Sequence, residues 1–399
     1  MTTRTDATFF PPIPEAQRWL KGKTFSAERP LINLAQAAPA DPPPPQMRDA
    51  MAEMLSDPAS HLYGPVLGLP ELRDALAQDW SAHYGATVRA ENVGITAGCN
   101  QAFAATLAAL THEGDEVIVP VPWYFNHKMW MDMTGVRAVP LPCGDDLIPD
   151  PEEARKLITP RTKAIAIVTP NNPTGVEYPA ETLRSLFDLC QETGLRLIVD
   201  ETYRDFDSRE GAPHDLLQRD GWQNTLVQLY SFSKAYRLTG HRVGAIFTAP
   251  KLLHNIEKFQ DTVAICAPSF GQMAACWGLE NLRDWTRGQR AEILSRRAAL
   301  VDGFALLAAE GWRLRGCGAY FAYVEHPFAM GASELAPLLV DQAQVLVLPA
   351  TMFTPTGDAS GERCLRVAFA NANEEQLRSF VSRLAQLDLP ALAPPATTA

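Results

Sequence analysis

The chain has 399 residues, 46% of them hydrophobic and 20% charged, the composition of a globular protein with material for more than one domain. A net charge of −11 argues against nucleic acid as a partner, and no stretch approaches the roughly 20 apolar residues that a membrane-spanning helix needs. Met1 to Pro14 lacks the apolar run of a signal peptide, so a cytoplasmic location is expected, and 7 scattered cysteines without a C-x-x-C pair fit reduced thiols, not a disulfide framework or a metal site.

In chain order, a short helix is expected over Pro14–Leu20, a stiff extended stretch at Pro42–Pro45 and a helix over Gln46–Leu55. Pro70 suits a helix start, with Leu72, Leu76 and Trp80 at helical spacing behind it. A βα alternation follows. Val93–Ile95 reads as a strand and Asn100–Leu110 as an apolar helix. Short Val/Ile/Leu runs at Glu116–Val119, Ala164–Val168, Leu195–Val199, Leu226–Leu229 and Val243–Phe247 read as further strands, with a helix at Pro179–Glu192. Near-continuous apolar strands alternating with helices point to an α/β fold with a mostly parallel sheet covered on both faces. Leu282–Ala309 reads as one long helix. A smaller α+β region then offers strands at Ala319–Val324, Val345–Leu348 and Leu365–Phe369 and helices at Ser333–Asp341 and Glu374–Gln386. The Pro/Ala/Thr-rich tail from Leu389 to Ala399 is expected to fray.

Ligands of open α/β sheets bind beyond the carboxyl ends of the strands, and the polar signals of this chain fall there. Asn171-Asn172-Pro173-Thr174-Gly175 follows one strand, Asp200 and Tyr203 a second, and Ser231-Phe232-Ser233-Lys234 a third, while Gly98-Cys99-Asn100 opens a helix. Each alone has a plain structural reading: Asp200 as a helix cap, Asn-Pro-Thr-Gly as a turn, Arg366 as a strand ion-pair residue. Together they supply what a phosphorylated pyridine aldehyde needs. A lysine can form an imine, a carboxylate keeps the ring nitrogen protonated, and N–H groups, hydroxyls and an arginine hold a phosphate.

In these motifs the sequence resembles the class I/II aminotransferases, fold-type I pyridoxal-phosphate enzymes, from Leu31 to Leu384. The further matches are Tyr63-Gly64-Pro65 with Gly68-Leu69-Pro70-Glu71-Leu72-Arg73, Thr96-Ala97-Gly98, Asp200-Glu201-Thr202-Tyr203, Gly240-His241-Arg242-Val243-Gly244 and Leu365-Arg366-Val367. The resemblance implies a seven-stranded, mostly parallel sheet with helices on both faces plus a smaller α+β domain. It implies an N-terminal arm and small-domain segment over 1–45, a large pyridoxal-phosphate-binding domain over 46–290 and a small domain over 291–399. Lys234 is implied as the Schiff-base lysine and proton shuttle, Asp200 as the partner of the pyridine nitrogen, and Asn172 and Tyr203 as donors to the phenolic oxygen. Lys234, Asp200 and Tyr203 would be the catalytic residues. Gly98, Cys99, Asn100, Ser231 and Arg242 would hold the phosphate, Tyr124 would stack on the ring, and Tyr63 would reach the phosphate of a neighbouring subunit in a homodimer. Arg366 would fork onto the substrate α-carboxylate beside Asn172 and Ala37.

Two departures stand out: Ala35-Gln36-Ala37-Ala38-Pro39 where the family often has Gly-x-Gly-x-Pro, and Cys99 at the helix start. The implied activity is transamination between an amino acid and a 2-oxo acid; a carbon–sulfur β-lyase would use the same residues. A transcription regulator with an aminotransferase-like domain would need a DNA-binding module, for which the match leaves no room. A neutral or aromatic donor is expected, because Arg366 and Arg242 are committed elsewhere and Trp123, Tyr124, Tyr320 and Phe321 lie in segments near the site. Arg18 or Arg29 swinging inward would reverse that expectation. His61, His127 and His241 read as structural.

Overall fold

The computed structural model describes residues 3–392, so the expectation for the tail beyond Leu392 lies outside the described residues. The chain opens with helix α1 (Pro12–Arg18), strand β1 (Ile32–Asn33), α2 (Pro45–Met54) and α3 (Pro70–Tyr84). The large sheet takes β2 (Val93–Thr96), β3 (Glu116–Val121), β4 (Arg137–Pro142), β5 (Thr162–Val168), β6 (Arg196–Asp200), β7 (Leu226–Ser231) and β8 (Gly244–Phe247). Helices α4 (Cys99–Leu110) and α5 (Phe125–Thr134) follow β2 and β3.

The order across this seven-stranded sheet is β2-β8-β7-β6-β5-β3-β4. The ladders from β7 through β6, β5 and β3 to β4 are parallel, and β8 runs antiparallel to both its neighbours. Central strands buried on both faces explain the unbroken Val/Ile/Leu runs. One face packs on α3 through Trp80, Tyr230 and Phe247, and the other on α4 through Phe103, Val117 and Ile198. Strand β4 escaped the sequence reading because Arg137-Ala-Val-Pro-Leu-Pro carries two prolines. An edge strand tolerates them, since proline cannot donate to a ladder on both sides.

Beyond the long helix Arg283–Leu307 lie β9 (Arg313–Gly318), β10 (Phe321–Glu325), β11 (Val345–Leu346), β12 (Leu348–Pro349) and β13 (Cys364–Ala368). A four-stranded antiparallel sheet runs β12-β13-β10-β9, and β1 pairs in parallel with β11, which returns the N-terminal segment to this region. Glycines hid β9 from a pattern search. They serve a close approach: a Cβ on Gly318 would lie 2.3 Å from the carbonyl oxygen of Gly175, and one on Gly175 (φ +74°) 2.3 Å from that of Phe321. The Asn171–Gly175 turn therefore sits backbone to backbone on β9 and β10, which fixes Asn172 between the two sheets.

Candidate active site

The carboxyl ends of β5, β6 and β7 and the start of α4 open onto one cavity of about 340 Å³. Cys99 and Asn100 reach it from the helix start, and Val168, Asp200 and Ser231 from the strand ends. Asn172, Tyr203, Lys234 and Arg242 come from the loops and short turns beyond them, and Tyr124 from the start of α5. A second cavity of about 270 Å³ adjoins it, shares Gln36, Ala37, Tyr124, Asn172, Tyr203 and Lys234 with it, and reaches Arg366. Lys234 thus stands at the junction, with Asp200 and Arg242 on one side and Arg366 on the other.

Of the expected site residues, Gly98 and Tyr63 do not line either cavity. Gly98 precedes α4 with φ +87°, and a Cβ there would lie 2.3 Å from Arg242 Nη2. Glycine thus lets the guanidinium lie against the helix start, where Arg242 donates to the carbonyls of Thr239 at 3.0 Å and Ala97 at 3.4 Å. A helix N-terminus, an arginine and the hydroxyl of Ser231 form an anion-binding end. Tyr63 is 78% exposed, away from the cavity of its own chain. Cys99 is buried, and burial together with Asp200 pushes its thiol up, so it stays neutral.

Asp200 is buried beside His127, whose Nε2 lies 3.2 Å from Oδ2, and the amide of Thr202 donates to Oδ1 at 3.0 Å. Burial works against its charge, yet His127 and the Thr202 bonds hold the carboxyl below the usual carboxylate range. The imidazole is itself clamped, stacked on Phe103 at 3.7 Å between centroids and edge-on to Tyr124 at 5.0 Å. His127, expected to be structural, is thus part of the site. The available signal was its place one turn along α5 from Tyr124, which puts both on one helix face.

Lys234 Nζ donates to the Ala37 carbonyl at 2.5 Å. Burial, with Arg242 and Arg366 nearby, pulls the ammonium down to about 8, which gives a neutral amine fraction near neutral pH. Tyr203 is held protonated by burial, as a hydrogen-bond donor. Arg366, on β13, is 2% exposed and lies 5.3 Å from the Phe321 ring and 4.9 Å from that of Phe353. It donates to Asn172 Oδ1 at 3.4 Å and to the Ala35 carbonyl, while its Nε is buried without a partner. Burial pulls it down to about 10, so it keeps its charge at neutral pH. A desolvated fork with an orphaned donor suits a carboxylate.

The expected aromatic pocket is corrected in part. Tyr124 lines the cavity, but Tyr320 and Phe321 are buried behind Tyr203, and Trp123 lines a separate cleft with Phe9 and Phe10. Pro11, Ile13 and Pro14 of the N-terminal segment, with Phe125, form the apolar wall instead. Arg18 pairs with Glu15 at 3.1 Å over the Phe10 ring, and Arg29 reaches the Gln342 carbonyl at 3.5 Å, so neither turns inward. Among the described residues, the cations lining the two cavities are Lys234, Arg242 and Arg366.

This donor set fits pyridoxal phosphate: an anion-binding end, an ionised buried carboxylate, two neutral donors and a desolvated lysine. Comparison with known proteins agrees. The family model "Aminotransferase class I and II" matches residues 29–384. An aromatic aminotransferase of Arabidopsis thaliana is 31% identical over 369 residues, covering 88% of each chain. The arginine–pyruvate transaminase of Pseudomonas aeruginosa is 32% identical over 322 residues, covering 79% of this chain and 80% of its own. Among solved structures, the aspartate aminotransferase of Thermus thermophilus with maleate superposes with a TM-score of 0.85 at 26% identity, covering 96% of this chain and 98% of its own.

Proposed function

The chain belongs to the class I and II aminotransferases, a family of pyridoxal-phosphate enzymes that transfer amino groups, and we propose that it passes the amino group of a neutral amino acid to a 2-oxo acid with Lys234 as the covalent anchor of the cofactor. When bound, the cofactor supplies an electron sink for negative charge at the donor α-carbon. The rest of the work falls to the chain. Asp200, kept ionised by His127, holds a proton on the ring nitrogen. Tyr203 and Asn172 donate to the phenolic oxygen, and Tyr124 packs on the ring. Arg242, Ser231 and the amides of Cys99 and Asn100 grip the phosphate. Arg366 would fork onto the donor α-carboxylate, and Lys234 Nζ would move the proton at the α-carbon.

The observation that carries this reading is the pair of joined cavities with Lys234 at their junction: a phosphate-binding end on one side, a buried guanidinium on the other. The neutral donor rests on the apolar wall of Pro11, Ile13, Pro14 and Phe125 and on the absence of a fourth cation among the described lining residues. A side-chain carboxylate buried there without a partner would cost several kcal/mol, on the order of a charge-desolvation penalty. The named relatives act on aromatic amino acids, aspartate and arginine, so family membership leaves the donor open. A donor screen with one common 2-oxo acid tests it: kcat/KM for phenylalanine, leucine, methionine or alanine should exceed that for aspartate and glutamate. A clear dicarboxylate preference would refute the neutral donor.

The same reading makes the protein a homodimer in which Tyr63 completes the partner's phosphate site. It is supported by exposed apolar side chains: Leu62 and Tyr63 stand 67% and 78% exposed, and Val263 and Ile265, a few residues before Ser269, are also exposed. Ser269 Oγ donates to the Leu62 carbonyl at 2.9 Å, which holds the loop bearing Tyr63 against the start of the Ser269–Asn281 helix. It also divides the chain near residues 45 and 290, a division supported by the parallel pairing of β1 with β11, which brings residues 32–33 beside the C-terminal region.

A further inference from the structure

Side chains alternate between the faces of a strand, and the alternation of β6 continues past its end. Ile198 and Asp200 face α4, α5 and the cavity, whereas Val199 and Glu201 face α3. Glu201 is a buried carboxylate the proposed reaction does not use. Its Oε1 lies 2.8 Å from His214 Nε2, and its Oε2 accepts from Tyr84 Oη at 2.6 Å and from Gln228 Nε2. Gln228, on the strand that leads to Lys234, also donates to Tyr84 Oη at 3.0 Å and accepts from Trp80 Nε1 at 2.9 Å. Arg204 follows on the same side, buried 3.7 Å over the Trp80 ring and paired with Asp79 at 3.4 Å and Asp205 at 3.5 Å. The turn after β6 therefore has two faces: Asp200, Thr202 and Tyr203 toward the cavity, Glu201, Arg204 and Asp205 locked beneath the sheet.

Burial alone would raise the Glu201 carboxyl; His214 and the Tyr84 hydroxyl outweigh it and hold the group below the usual range. An apolar side chain of similar volume would fill this space without the desolvation cost. What it would lack is direction, because hydrogen bonds fix the orientation of a turn where contacts between methyl groups do not. We propose that Glu201, with His214, Tyr84 and Gln228, is a positioning network that holds the Asp200–Tyr203 turn, and with it the Asp200 carboxylate and the Tyr203 hydroxyl, in register with the cavity. None of these four lines the cavity, so they act through the turn alone. The inference rests on Asp200 and Tyr203 being the groups that meet the cofactor.

The test uses holoenzyme of Tyr84→Phe, Glu201→Gln and Asp200→Asn. The readouts are the pH midpoint of the lysine-bound cofactor's visible absorbance, kcat and donor KM separately, and the melting temperature. A loosened Tyr203 donates less well to the phenolic oxygen, which stabilises the protonated form. Tyr84→Phe changes no charge and should raise the midpoint by about half a pH unit and lower kcat about threefold at unchanged KM. Glu201→Gln should lower kcat further. Should it fail to fold, Tyr84→Phe decides alone. A lowered melting temperature with wild-type midpoint and kcat would reduce the network to core packing and overturn the proposal. If Asp200→Asn also leaves the midpoint in place, the assignment of Asp200 fails, and the network proposal falls with it for that separate reason.

Discussion

At the scale of single residues, Lys234 carries the heaviest claim. Lys234→Ala is expected to lose the absorbance of lysine-bound cofactor and to lower turnover about a thousandfold or more. Loading of the cofactor onto the free enzyme should also report its environment. The amine attacks only when neutral, and burial beside Arg242 and Arg366 brings its pKa down to about 8, so the loading rate should climb with pH and level off above that value. A rate still climbing steeply toward the ordinary lysine range would contradict the desolvated site. Asp200→Ala should retain cofactor, seen by its absorbance after desalting, yet lose about a thousandfold in kcat. The Ser-Phe-Ser-Lys and Asp-Glu-Thr-Tyr runs pointed to these positions in sequence because each motif sits at a strand end, and both residues line the cavity there. His127 was only half legible: its place one turn along α5 from Tyr124 sets it on the same helix face, but its contact with Asp200 is a tertiary one that no local pattern encodes.

Among the elements, β5, β6 and β7 lie close to where their apolar runs placed them, because strands buried on both faces leave that signature. Strands β4 and β9 were missed for opposite reasons: prolines tolerated on an edge, and glycines required by a close backbone approach. The second reason has a measurable consequence. Gly175→Ala places a methyl group within 2.3 Å of the Phe321 carbonyl at a positive φ, and should destabilise the protein by about 2 kcal/mol or more in urea titration. A wild-type unfolding midpoint would show that the two sheets are not held as described. The sequence offers the N-terminal segment as an arm whose Arg18 or Arg29 could turn inward; it is instead Pro11, Ile13 and Pro14 that wall the side of the cavity next to Arg366. Deleting residues 1–18 should raise donor KM while the cofactor stays bound; an unchanged KM would remove that segment from the substrate site.

For the molecule as a whole, the proposed dimer ties the exposed Tyr63 to function. Sedimentation should give a dimer, and Tyr63→Phe should weaken cofactor retention without dissociating it; a fully active monomer would refute shared sites. The central claim is a two-half transfer at one lysine, and a single measurement reaches it most directly. Holoenzyme is mixed with a neutral amino acid donor alone, and 2-oxo acid and ammonia are counted per site. Transamination predicts one equivalent of the donor's own 2-oxo acid, no ammonia, loss of the lysine-bound absorbance, and its return when a second 2-oxo acid is added. Continuous release of ammonia with many equivalents of 2-oxo acid, the absorbance unchanged, would contradict it and mark a lyase.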